Sequence, residues 1–214
     1  GGEQPVANGV TIKLLQANVS RSNQEPAALL AQIANENPDI IVIQEMTPVW
    51  LQAMQGLASD YPFEVAEAQV GAFGIGLFSK VPIVDGRIIH VPPIDLPEIR
   101  ATLQIGGRDI QFVSSHTMPP IGRAGIEARN VQMANLGIEV GAMSRPTILV
   151  GRRHTVGLKK RPACVMRAKA LALYRLFPCF FRLPALLSTM CWCPRKSQYS
   201  SSARAREPVP TIGL

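Results

Sequence analysis

The first 150 residues contain no cysteine; all four (Cys164, Cys179, Cys191, Cys193) lie beyond them. Thiol chemistry therefore has no place in that part, and nothing there speaks to redox compartment. The four later cysteines form neither a zinc ribbon nor a CxxC pair, and Cys191-x-Cys193 has no His or further Cys at ligand spacing. No run of 18 uncharged apolar residues exists. The most apolar stretch, Ala163 to Cys193, is broken by Arg167, Lys169, Arg175 and Arg182, which excludes a spanning helix. No signal-peptide pattern is present. The Gly-Gly start without Met reads as a fragment or a processed chain. Acidic residues nearly vanish after position 150, where Glu207 is the only one.

That last scarcity divides the chain. Residues 1–150 carry 9 Lys+Arg against 14 Asp+Glu, a net of −5; residues 151–214 carry 13 Lys+Arg against Glu207, a net of +12. The overall pI of 9.6 describes neither part, so it is no nucleic-acid signature for the whole protein. With 47% hydrophobic and 17% charged residues, the composition is that of a globular chain long enough for one sizeable core.

The first part reads as alternating elements. Residues 11–19 are a strand. The Ser22 to Pro26 cluster starts a helix whose apolar positions are Leu29, Leu30 and Ile33, and Asn37-Pro38 stops it. Residues 39–45 open on Ile40-Ile41-Val42-Ile43, a pattern for a strand buried on both faces. A helix over 48–57 follows. Short strands are then predicted at 63–68, 73–80, 83–91, 99–105 and 109–116, with Gly106-Gly107 as a hairpin turn. A long helix over 124–143 and a buried strand at 147–150 complete the pattern. Helices alternating with strands, then a run of hairpins, fit an α/β protein of two face-to-face sheets with helices outside. After Gly151 no clean period remains, and Pro162, Pro178, Pro184 and Pro194 interrupt the candidate elements. The expected division is 1–151, which carries this pattern, and 152–214, a basic and poorly ordered tail.

Asn18, Glu45 and His116 each end an apolar strand, where a rigid sheet fixes side chains for chemistry. A carboxylate there is costly to desolvate unless it meets a cation, and a hard divalent ion such as Mg²⁺ suits Glu45. Singly, each has an ordinary reading: a Glu after a strand as a solvated loop residue, an Asn as a turn former, a His as a surface or satisfied core residue. Order and flanks add information. Leu14-Leu15-Gln16-Ala17-Asn18-Val19, then Pro38-Asp39-Ile40-Ile41-Val42-Ile43-Gln44-Glu45, resembles the opening of the endonuclease/exonuclease/phosphatase (DNase I-like) superfamily. Phe73 to Pro82, Arg100-Ala101-Thr102-Leu103, Phe112 to Thr117, Arg129-Asn130-x-Gln132 and Pro146 to Gly151 are similar to its later motifs, in order.

The resemblance implies a four-layer α/β sandwich, with residues 1–151 as the N-terminal two-thirds of a phosphoesterase domain, incomplete because the C-terminal third departs from the family. It implies a divalent-metal-dependent hydrolase of phosphodiesters or phosphomonoesters, nuclease or phosphatase in type. Glu45 would hold Mg²⁺ (or Mn²⁺), Asn18 would support the metal or the phosphate, and His116 would contact a phosphate oxygen. The substrate would be a phosphoester of nucleic acid, phospholipid or inositol phosphate.

The departure begins after Val150. The chain reads Gly151-Arg152-Arg153-His154 where the family has Gly-Asp-x-Asn, and a guanidinium cannot act as a carboxylate. The family's closing Asp-His pair is also absent. The genetic code suggests why. Codons built from the third base of each codon plus the next two force Met190-Cys191-Trp192-Cys193 to read Val-Leu-Val, and Ser188-Thr189-Met190 permits Asp-His before it. Residues 209–214 permit Ser-Asp-His-Arg-Pro, the family's ending. Residues 152–214 are accordingly expected to be frame-shifted, leaving activity impaired and apolar strand edges open. The alternative is a non-catalytic module in which the basic tail, with Tyr174, Phe177, Phe180, Phe181 and Trp192, binds nucleic acid or an anionic membrane.

Overall fold

The computed structural model describes residues 10–92 and 94–151 with side chains, and the backbone of 164–169 and 174–175. Strand β1 (Thr11–Asn18) leads through helix α1 (Ala27–Glu36) to β2 (Ile40–Gln44), paired parallel to β1. Helix α2 (Pro48–Gln55) precedes β3 (Phe63–Glu67) and β4 (Ile75–Ser79), and β4 pairs antiparallel with both β2 and β3. A meander follows: β5 (Ile83–Val91), β6 (Leu96–Ile105) and β7 (Arg108–Ser115). Helix α3 (Gly122–Ala142) then returns the chain to β8 (Thr147–Gly151), parallel to β7. β9 (Cys164–Lys169) lies antiparallel to β1, and β10 (Tyr174–Arg175) parallel to β8. The first sheet has the order β3-β4-β2-β1-β9, the second β10-β8-β7-β6-β5.

Side-chain alternation turns these sheets into layers. Ile40 and Val42 of β2 join Leu14, Ile99, Phe112 and Val150 in a core between the two sheets. Ile41 and Ile43 point the other way, into a second core with Leu29 and Ile33 of α1 and Trp50 and Met54 of α2. Behind the second sheet, Val113 and Leu149 meet Leu136 and Val140 of α3. Three buried interfaces thus separate four layers, helix–sheet–sheet–helix, a DNase I-like α/β sandwich.

Local chemistry sets the ends. Pro26 caps α1, and Asn37 stops it in the left-handed conformation (φ 44°) while its N–H bonds back to Ile33. Gly106 and Gly107 both have positive φ (58° and 74°), as a two-residue hairpin turn with the strands' own twist requires. β6 begins at Leu96, three residues before the predicted start. Pro97 argues against an interior strand, but it sits at the end of the ladder, opposite His90. The tail also differs from expectation. Apolar strand edges were expected to stay open in one sheet, whereas β9 lines the edge of β1 and β10 that of β8. Both lie between Pro162 and Pro178, in the longest proline-free stretch just after Gly151. The remaining tail residues, including Arg152, His154 and the segments behind the frame-shift reading, lie outside the described residues.

Candidate active site

Parallel pairing aligns the C-terminal end of β1 with that of β2 and the end of β7 with that of β8, and the bond from Gln44 to Ser115 O brings both pairs of ends to one rim. The three residues singled out in the sequence meet there. Asn18 Nδ2 donates to Glu45 Oε1 at 2.8 Å. The same oxygen lies 4.0 Å from His116 Nε2. These residues are 27 and 71 positions apart, so the sheets, not the local chain, bring them together.

Glu45 needs an unusual backbone to do this. Continued alternation would send it outward with Ile41 and Ile43. Instead it has φ 60°, a left-handed conformation that costs a non-glycine residue on the order of 1 kcal/mol and turns the side chain toward Asn18. The surroundings enforce that turn. Val19 N–H donates to Gln44 O, and Met46 N–H to Gly74 O. Gly74 packs so closely that an added Cβ would stand 1.9 Å from Met46 O, so no larger residue fits without moving the turn. The Arg21 N–H donates to Glu45 Oε2 at 3.2 Å. Asn18 is also a turn former: its Oδ1 accepts from Ser20 N–H at 3.2 Å, an Asx turn beside Ser20, itself at φ 64°. The turn-forming reading of Asn18 thus holds, and its Nδ2 remains directed at Glu45.

His116 follows β7 and is buried, 3% exposed. Its ring packs against Phe73, tilted 55° with centroids 5.7 Å apart. Glu45 keeps 13% of its side chain exposed, enough to meet a ligand at the rim. Carboxylate and amide oxygens are hard donors, and Mg²⁺ takes one or two carboxylates while keeping several waters. Glu45 with the Asn18 amide meets that lower limit. Among the described residues no group of three or more His, Cys, Asp or Glu gathers at metal-binding distance.

Residues without an assigned role in the sequence support the three. Buried Gln44 reaches across the core from one sheet to the other: its Nε2 donates to Ser115 O at 3.2 Å, and its Oε1 accepts from Gln16 at 3.3 Å. Behind the second sheet, Ser115 Oγ donates to Glu98 Oε1 at 2.6 Å. Glu98 Oε2 takes Arg100 at 2.7 Å, and Arg100 also bonds both oxygens of Glu139 on α3. Burial pulls the Arg100 pKa down, but the bonds to Glu139 and Glu98 outweigh it and hold the guanidinium charged. The sequence signal for this pair was weak: two opposite charges two apart on one strand face. Gln132 Oε1 of α3 accepts from Met118 N–H at 3.0 Å.

Two sheets sandwiched between helices, with an amide, a carboxylate and an imidazole converging on one rim, define a DNase I-like α/β protein. The chain belongs to the Endonuclease/Exonuclease/phosphatase family, whose model matches residues 15–151, more than half of it. Comparison with curated proteins gave no match. Among solved structures it is similar to a humanized TDP2 of D. rerio carrying 14 mutations (TM-score 0.57, 17% identity, 66% of this chain and 60% of that one). It is likewise similar to the human Nocturnin catalytic domain with bound sulfate (0.53, 20%, 66% and 64%). Sphingomyelinase C from Streptomyces griseocarneus is a third (0.53, 16%, 66% and 64%). The aligned part spans less than two thirds of each relative's length. Among the described residues no helix is long and apolar enough to cross a membrane.

Proposed function

We propose that this chain carries the metal- and phosphate-binding half of a divalent-metal-dependent phosphoester hydrolase. The observation that carries the reading is the convergence of Asn18 and Glu45 from one sheet with His116 from the other, within 2.8 and 4.0 Å. Glu45 would hold Mg²⁺ or Mn²⁺, with Asn18 fixing the carboxylate. The metal would supply charge for a phosphoryl oxygen and for an attacking water. His116 would hold a phosphate oxygen from the second sheet, so that developing charge meets a donor already in place. Nucleic acid, phospholipid and inositol phosphate all offer this group. One similar structure is a D. rerio TDP2 complexed with a single-strand DNA product, and another is a sphingomyelinase.

Turnover is proposed to be impaired. Arg152 and His154 stand where the family has an acid and an amide, and neither substitutes for them. The proposed cause is a change of one base near codon 151. Calorimetry on the purified 214-residue chain should show Mn²⁺ binding that Glu45→Ala abolishes, with no Mg²⁺-dependent hydrolysis of a diester such as bis-p-nitrophenyl phosphate. Robust turnover lost in Glu45→Ala would overturn the impairment; absence of Mn²⁺ binding would overturn the metal reading. Resequencing codons 140–214 and beyond should restore Gly-Asp-x-Asn and Asp-His; confirmation of the present frame would remove the frame-shift explanation.

A further inference from the structure

Two glutamines that belong to the sequence motifs but have no part in the proposed chemistry are almost wholly buried: Gln44 at 0% and Gln132 at 1% exposure. They come from opposite sides of the second sheet, Gln44 from the facing sheet and Gln132 from α3. Each bonds the backbone beside His116. Gln44 Nε2 donates to the carbonyl of Ser115, the residue before it, at 3.2 Å. Gln132 Oε1 accepts from the N–H of Met118, two residues after it, at 3.0 Å. Burying an amide is costly unless its groups are used, and an apolar side chain of similar length would fill either place. Gln132 even leaves its Nε2 without a partner among the described residues, so its burial is not explained by full satisfaction of its own groups. What both share is a bond to the short segment 115–118.

We infer that Gln44 and Gln132 are positioning residues that clamp the backbone on either side of His116 and so fix its imidazole against the Glu45 carboxylate. The role of His116 as the phosphate contact rests on the function proposed above; the clamp itself does not. Gln44 has a second consequence. It is the residue before Glu45, so one side chain ties the strand end carrying the carboxylate to the strand end carrying the imidazole. Around metal sites, outer-shell groups of this kind commonly cost about 10–100-fold in metal affinity or activity when removed.

The test uses the full chain with no metal, so it does not depend on catalysis. Histidine-ring and phenylalanine-ring NMR signals report the His116–Phe73 contact through its cross-relaxation, and the His90 ring serves as an internal control for the fold. Gln44→Met and Gln132→Met keep length and remove hydrogen bonding. Both should lose the His116–Phe73 signal while His90 stays unchanged. Gln132→Glu, which keeps an acceptor for Met118, should retain it. If Gln44→Met fails to fold, Gln44→Asn, an amide too short to reach Ser115, takes its place with the same expected loss. An unchanged His116–Phe73 signal in folded variants at both positions would overturn the clamp, even if their melting temperatures fell. Titration with inorganic phosphate in Mg²⁺ adds the functional arm. The methionine variants should bind about tenfold more weakly, with affinity restored in Gln132→Glu. Failure of the unmutated chain to bind phosphate would sink the hydrolase reading, while the ring contact would still decide the clamp.

Discussion

The two sheets supply the two halves of the proposed site, and they are backed in different ways. Behind the first, α1 and α2 lay Leu29, Ile33, Trp50 and Met54 over Leu15, Ile41, Ile43 and Phe78 in a continuous apolar layer. Behind the second, α3 contributes only Leu136 and Val140 to a small cluster, while Ile126, Val131 and Ile138 face outward. The rest of that interface is polar: Arg100 between Glu98 and Glu139, Ser115 on Glu98, and Gln132 on Met118. Apolar packing fixes position by filling volume and is indifferent to direction. Hydrogen bonds and ion pairs fix direction. The carboxylate therefore sits on a sheet backed by volume, with its orientation set locally by its own left-handed backbone and by the bonds from Asn18 and the Arg21 N–H. The imidazole sits on the side held by directed bonds.

The largest effect should come from the apolar side. Trp50 is 2% exposed and central to its layer, so Trp50→Ala should cost about 3–5 kcal/mol. Leu136→Ala, in the smaller cluster, should cost about 2 kcal/mol, the low end for a buried leucine. Equal losses in denaturant titrations would break the comparison, because they would make the α3 interface as dependent on apolar packing as the other.

Next comes the ion network. Arg100→Met leaves Glu98, 2% exposed, without its cation, and removing one partner of a buried pair costs about 3–5 kcal/mol. Glu139 keeps 43% of its side chain exposed, which places the expected loss near 3 kcal/mol. Replacing Glu98, Arg100 and Glu139 together by Leu, Met and Leu should recover most of it, since the buried charges then vanish as a set. If the triple variant stays as unstable as Arg100→Met, the network contributes more than mutual neutralisation.

The same contrast governs what the sequence revealed. The first sheet and its helices were legible because volume leaves a period: Ile40 to Ile43 announced a strand buried on both faces, and Leu29 and Ile33 a helix. Asn18, Glu45 and His116 were legible as polar ends to apolar runs. The polar backing was not. Glu98 and Arg100 look like any exposed pair until α3 is laid over them, and nothing in the sequence of α3 says which of its turns meets that strand. Gln44 and Gln132 were visible within motifs, but their bonds are to backbone atoms, which carry no sequence signal. The tail was opaque for a different reason. Its prolines and scattered charges hide any period, yet pairing with the edges of β1 and β8 needs only extended backbone.

The smallest effect concerns a third link between the sheets, at their exposed edges and made of charge. His90 of β5 lies 3.0 Å from Glu67 of β3 and 3.5 Å from Asp95. The hydrogen bond to Glu67 raises the His90 pKa above 6.5; burial opposes it, and the charges of Glu67 and Asp95 add to the rise. Burial pushes the Glu67 carboxyl up, but the bonds from His90 and Gln69 outweigh it, so its pKa falls below 4.5. The raised imidazole contributes stability that is present below 6.5 and lost as pH rises through its folded value. The lowered carboxyl contributes stability that is present above 4.5 and lost as pH falls through its own. The link is therefore at full strength between pH 4.5 and 6.5. His90→Gln should lower the melting temperature most in that window, and the difference from the unmutated chain should fade on both sides of it. High salt should shrink the difference, because these groups face solvent. A difference independent of pH would mean that His90 joins the sheets by packing alone, leaving Gln44 and the Glu45–His116 approach as polar ties between them at this rim.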